Sequence, residues 1–182
     1  MGFIIDDGTG TDGSAKVSAN RLHTDSIAKT VDQDINERTG KVWSLPFEGL
    51  NPAGADDYVF YLKNTGDNDI EVEDFRLSAD TAATQIEINS VSGTAAGGST
   101  LTPVSTTVGS SATPSATIET GTDITGLTND GTLFFMQLTV VNTEYHLSVS
   151  SKIRIPKGKA IAILIETGTA NLTGVVSIFE RV

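Results

Sequence analysis

The sequence predicts an all-β fold, a single β-sandwich most simply arranged as a jelly roll, with a flexible N-terminal arm. Three observations predict it. Apolar residues alternate at period two in short runs; no segment sustains a helical period over about eleven residues; polar turn signals separate the runs. The 18 glycines among 182 residues supply many of those turns. A chain of this length can hold one domain that buries roughly 70% of its unfolded surface. No charged or proline-rich linker separates two hydrophobic halves, so the expected organisation is an arm over residues 1–20 and one β-sandwich domain over 21–182.

The arm is expected because Asp6-Asp7-Gly8-Thr9-Gly10-Thr11-Asp12-Gly13-Ser14 lacks apolar periodicity. Residues 21–27 read as a short extended segment. In Lys41-Val42-Trp43-Ser44-Leu45-Pro46-Phe47, the residues Trp43, Leu45 and Phe47 fall on one strand face. Pro46 removes a ladder donor there and predicts an edge strand or a bulge. Tyr58-Val59-Phe60-Tyr61-Leu62-Lys63 is the next strand, ending in the turn Asn64-Thr65-Gly66-Asp67-Asn68. Ile70, Val72, Phe75 and Leu77 follow with a phase change near Asp74, which predicts a bulge. Residues 85–91 alternate with Ile86 and Ile88 inward.

Residues 92–132 are different in kind: 25 of the 41 are Ser, Thr or Gly. No Lys or Arg occurs between Arg76 and Lys152, and this stretch offers Glu119, Asp123 and Asp130 as its only acids. Small hydroxyl side chains satisfy backbone groups and favour strands without carrying charge. The segment therefore reads as a packing surface for another copy or another protein, with short strands near 101–108 and 116–120. The run Thr132-Leu133-Phe134-Phe135-Met136-Gln137-Leu138-Thr139-Val140-Val141, the longest strand signal, is expected from its continuous apolarity to be a strand buried on both faces, with Phe134 and Phe135 pointing to opposite sides. Three more strands are expected over 147–155, 159–167 and 175–181, with turns at Pro156-Lys157-Gly158 and Asn171-Leu172-Thr173-Gly174.

Charge narrows the function. The net charge is −11, with 12 basic against 23 acidic residues, and 16 of the acids lie in residues 1–80. Neutralising phosphates needs clustered cations, so nucleic acid is not the expected partner. No stretch approaches the roughly 20 apolar residues that span a bilayer, and no membrane partner is expected. Residues 1–7 have no basic region and no long apolar run, and Asp6 does not fit a myristoylation signal after Gly2. The absence of cysteine removes disulfides, thiolate metal sites and cysteine nucleophiles.

The ionisable residues give no catalytic signature, and the expectation is a chain that is not an enzyme and needs no cofactor. Asp6, Asp7 and Asp12 sit among glycines, but the twelfth residue from Asp6 is Val17 where a calcium loop needs Glu. Asp67, Asp69, Glu71, Glu73 and Asp74 read as a solvated acidic face. His23 and His146 are the only imidazoles, and neither belongs to a metal-binding spacing. There is no G-x-S-x-G elbow for a serine nucleophile. One basic concentration stands out: Lys152, Arg154, Lys157 and Lys159. It is the candidate interaction surface, against the simpler reading of a solvated strand face and charged turn. Asn171-Leu172-Thr173 matches a glycosylation sequon, a pattern common by chance.

Three short motifs carry a family resemblance. The opening residues 7–17 followed by Asn20-Arg21-Leu22-His23-Thr24, the turn Tyr61-Leu62-Lys63-Asn64-Thr65-Gly66-Asp67, and Ile155-Pro156-Lys157-Gly158-Lys159-Ala160-Ile161 resemble tailed-bacteriophage virion structural proteins, most of all capsid decoration (cement) proteins. That resemblance implies a virion location on the capsid surface, a homotrimer at three-fold positions, the major capsid protein as partner, and an arm that reaches across the shell. The alternative it leaves is a head-fibre or tail-associated module that binds a receptor or carbohydrate. Sugar binding favours exposed aromatics, whereas Trp43, Tyr58 and Tyr61 all fall in strand patterns that core packing explains.

Overall fold

In the computed structural model, the described residues are 17–18, 21–22, 40–166 and 170–181, with the side chains of 17–18, 21–22 and 150–152 excepted. The chain divides into two compact units, Met1–Val31 and Asp32–Val182. In the first, β1 (Val17–Ser18) pairs antiparallel with β2 (Arg21–Leu22), Val17 opposite Leu22. Apart from β1, the expected arm over 1–20 lies outside the described residues.

The second unit contains β3 (Val42–Leu50), β4 (Asp57–Asn64), β5 (Ile70–Ala79), β6 (Thr84–Ala96), β7 (Ser99–Thr100), β8 (Val104–Ser105), β9 (Ala116–Thr120), β10 (Thr125–Leu138), β11 (Tyr145–Ile155), β12 (Ala160–Ile165) and β13 (Leu172–Glu180). A six-stranded sheet runs β10-β6-β12-β4-β9-β7 and a five-stranded sheet runs β11-β5-β13-β3-β8. Every pairing is antiparallel. The sheets pack together as a β-sandwich. Trp43, Leu45 and Phe47 point inward as the alternation requires, and the rings of Phe47 and Phe60 meet across the sheets at 5.5 Å between centroids. Ile86, Ile88, Phe75, Leu77, Ile163 and Ile178 complete the middle of that core.

Several local expectations hold. β9 covers residues 116–120, and β5 slips register between Val72 and Asp74, which leaves Glu73 as the extra residue of a bulge. Pro46 is exposed on the part of β3 that extends past the two residues paired with β8, where a missing N–H costs no ladder bond. The last strand starts earlier than expected, because Leu172 is buried and Gly174 is already within it. A Cβ on Gly174 would lie 2.4 Å from the Arg76 carbonyl oxygen, so the glycine reflects close strand packing rather than a turn.

The expectation for residues 132–141 is corrected. β10 is the edge strand of its sheet, with Phe135 56% and Leu133 43% exposed, and Val140 and Val141 stand exposed in the turn that follows. Only Phe134, Met136 and Leu138 face the core. In the same sheet, interior strands β4 and β12 carry buried side chains on both faces. Apolar continuity measures side-chain chemistry and carries no information about strand order.

What buries the outer face of β4 is the Ser/Thr/Gly-rich segment. Leaving the far end of the β6–β10 hairpin, it adds β7 and β9 to one sheet and β8 to the other. It then lays Ile124 over Tyr61, Ala160 and Ala162 as a second small core. Backbone bonds hold it there: Gly121 N–H to the Val59 carbonyl at 3.0 Å and Ile124 N–H to the Tyr58 carbonyl at 2.8 Å.

Candidate functional site

The two later motifs of the family resemblance are brought together by topology. The turn after β4 and the turn after β11 each cross from one sheet to the other. The pairings Ala160 with Lys63 and Ile155 with Ile70 place them side by side. Asn64, fully buried, joins them. Its Nδ2 donates to the carbonyls of Ile155 and Asn68, both at 2.8 Å, and its Oδ1 accepts the Gly66 N–H at 2.9 Å. Its backbone N–H donates to the Lys159 carbonyl at 3.0 Å, and its carbonyl accepts the Gly158 N–H at 2.8 Å. A buried amide with its donors and acceptor engaged fixes a unique geometry.

The same register sets the acidic cluster against the basic one. Arg154 lies opposite Glu71, with nitrogens 3.5 Å from the Glu71 carboxylate and 3.6 Å from that of Asp69. Arg181 approaches Glu71 from the other side at 3.4 Å. Lys157 Nζ reaches Asp67 Oδ1 at 2.5 Å, and this bond, with the lysine charge behind it, holds the Asp67 carboxyl below the ordinary range. Of the four predicted surface residues, Arg154 and Lys157 thus contact acids of their own chain. Lys159 is exposed, with no ion pair within 4.0 Å among the described residues, and the Lys152 side chain lies outside them.

Lys159 lines a cleft of about 610 Å³ between β10 and β11, together with Asp130, Leu133, Phe134, Ile153 and Arg154. The cleft is mostly apolar, with cations and one acid on its lining. Sequence reasoning missed it, although a signal was present: residues 131–143 contain no charged side chain.

The remaining candidates are dispersed. His146 Nε2 lies 3.1 Å from Asp74 Oδ2, which also accepts from Arg76 Nε at 3.3 Å. Asp6, Asp7, Asp12 and His23 lie outside the described residues. Among the described residues no group of three His, Asp or Glu side chains is placed to hold a metal ion. On the outer face of the six-stranded sheet, Glu87 Oε2 accepts from Asn89 Nδ2 at 3.0 Å and Thr132 Oγ1 at 3.1 Å. Burial, followed by the charge of Glu87, raises the pKa of neighbouring Glu166. The sequon asparagine, Asn171, donates its amide to Asp80 Oδ2 and its backbone N–H to Asp80 Oδ1.

Compared with family models, curated proteins and solved structures, the chain matches none.

Proposed function

We propose that this chain is a structural protein of a tailed-phage virion: a capsid decoration protein that binds the outer surface of the head as a homotrimer and stabilises the shell, without catalysis. The observation that carries the reading is the union of two resemblance motifs around Asn64, which makes them parts of one rigid corner rather than of a reactive pocket. The finer fold reading, a jelly roll, is supported by strand order. Among the eight long strands, β3, β5, β11 and β13 occupy one sheet and β4, β6, β10 and β12 the other, in the orders β11-β5-β13-β3 and β10-β6-β12-β4.

The mechanism is clamping. Each copy contributes a modest contact, and three linked copies multiply it by effective concentration, so the shell gains avidity that no single contact supplies. The second reading, a receptor- or carbohydrate-binding module, is favoured by one observation, the cleft between β10 and β11 with Lys159 and Asp130 on its lining. Against it, Trp43 and Tyr61 are buried and unavailable for stacking on a sugar.

Adding purified protein to heads stripped of surface proteins tests the proposal. Saturable binding that raises the temperature of DNA release supports decoration. Absence of binding to heads, with binding to glycans or receptor-bearing cells, supports the second reading instead.

A further inference from the structure

We infer that the exposed edge of β10 is the surface on which a second copy of this chain docks. Sheet edges are normally closed by short strands, bulges or charge, because a bare ladder recruits another strand. Two of the four edges here are closed by shortness, since β7 and β8 are two residues each. β11 breaks register between Ser148 and Ile153. β10 is 14 residues long and breaks register three times between Thr125 and Phe134, so bulges interrupt its first part and not its last. From Phe134 to Leu138 it keeps unbroken register with β6, opposite Ile88 to Thr84, which leaves a regular row of backbone groups on its outer side.

The side chains on that edge are the wrong kind for solvent. Of the six exposed large hydrophobic residues among the described residues, four lie between positions 133 and 141: Leu133, Phe135, Val140 and Val141. Apolar residues concentrated in one strip, rather than scattered, mark an interaction surface.

Charge selects the occupant. The chain carries −11, so two copies repel over most of their surface. Residues 131–143 carry no charge of their own, and the carboxylate beside them, Glu87, is engaged by Thr132 Oγ1 and Asn89 Nδ2, which makes this strip a place where like copies approach with little opposing charge. Beside it, exposed Lys159, which has no ion pair among the described residues, offers a cation to the acidic neighbour. An identical copy brings the matching apolar strip and the matching ladder without further design.

This inference rests on the reading of the chain as a self-associating structural protein and adds the surface that the association uses. Ladder pairing of two β10 edges is two-fold and gives a dimer; insertion of the strip into the next copy's cleft is head-to-tail and closes as a ring.

Sedimentation velocity of the full chain over the accessible concentration range tests it, beside Phe135→Lys, Leu133→Lys and the control Val108→Lys. Val108 is 99% exposed and lies off the strip. Thermal melting establishes that each variant folds. The expected result is an oligomer whose association weakens by roughly tenfold or more in both strip variants and not in the control. A trimer unaffected by the strip variants overturns this inference and leaves the homotrimer reading standing. A dimer lost on strip substitution upholds the inference and overturns the trimer. A wild-type monomer at every concentration overturns the inference, and the head-binding experiment then judges the decoration reading separately.

Discussion

The Trp43 indole N–H donates to the Ala112 carbonyl at 3.0 Å, tying β3 to a residue 69 positions later in the Ser/Thr/Gly-rich segment. This bond, with the Thr106 N–H on the Val42 carbonyl at 3.0 Å, fastens that segment across the end of the five-stranded sheet. The low-charge segment is therefore a strap that completes its own domain.

Trp43→Phe keeps most of the buried ring and loses the hydrogen bond. It should cost about 1–3 kcal/mol, the price of an unpaired, partly buried carbonyl plus a smaller ring. Amide exchange should rise in residues 104–114 well before it rises in β6 or β12. Equal acceleration everywhere would mean that the strap is not a separately openable element.

Asn64→Ala removes one side chain and leaves the Ile155 and Asn68 carbonyls and the Gly66 N–H without it. A loss of about 2–4 kcal/mol in denaturant unfolding is expected. Asn64→Asp should not rescue, because a carboxylate would face two carbonyls. If either variant is as stable as the parent, the corner around Asn64 is not what holds the two turns together.

Leu138→Ala and Phe135→Ala separate core from edge on one strand. Leu138 is fully buried and should cost about 2–5 kcal/mol. Phe135, largely exposed, should cost under about 1 kcal/mol in the isolated chain. Comparable losses would place β10 inside the sandwich.

The contrast shows what was legible in the sequence. Period-two alternation placed Trp43, Leu45 and Phe47 on one face, and the phase change at Asp74 located a bulge, because both are local consequences of the pleat. Strand order is not local. Nothing near Phe135 says that β10 has a neighbour on one side only, and nothing near Arg154 says that Glu71 lies opposite. The acidic and basic clusters were visible separately, while their mutual neutralisation depends on a register set by the whole sheet. The same holds for Ile124, whose burial depends on a strap returning over β4.

Glu166 provides a pH test. Burial and the nearby Glu87 raise its folded pKa, so the unfolded chain ionises first as pH rises. Stability attributable to this group therefore falls from the ordinary carboxylate range upward through its raised folded pKa, and stays reduced at neutral pH. Glu166→Gln should raise the melting temperature at neutral pH and change it little in acid. Asp67 has the opposite sign. Its contribution with Lys157 is present at neutral pH and disappears as pH falls through its depressed folded pKa, so Lys157→Gln should matter at neutral pH and not in strong acid. A Glu166→Gln gain of equal size at both pH extremes would contradict the assignment.

The central claim concerns where the protein sits, and electron cryomicroscopy of intact particles measures that directly. The account predicts density for this β-sandwich on the outer surface of the head, at three-fold positions, in contact with the major capsid protein. Density for it in tail or fibre alone, or in no part of the particle, would contradict the account.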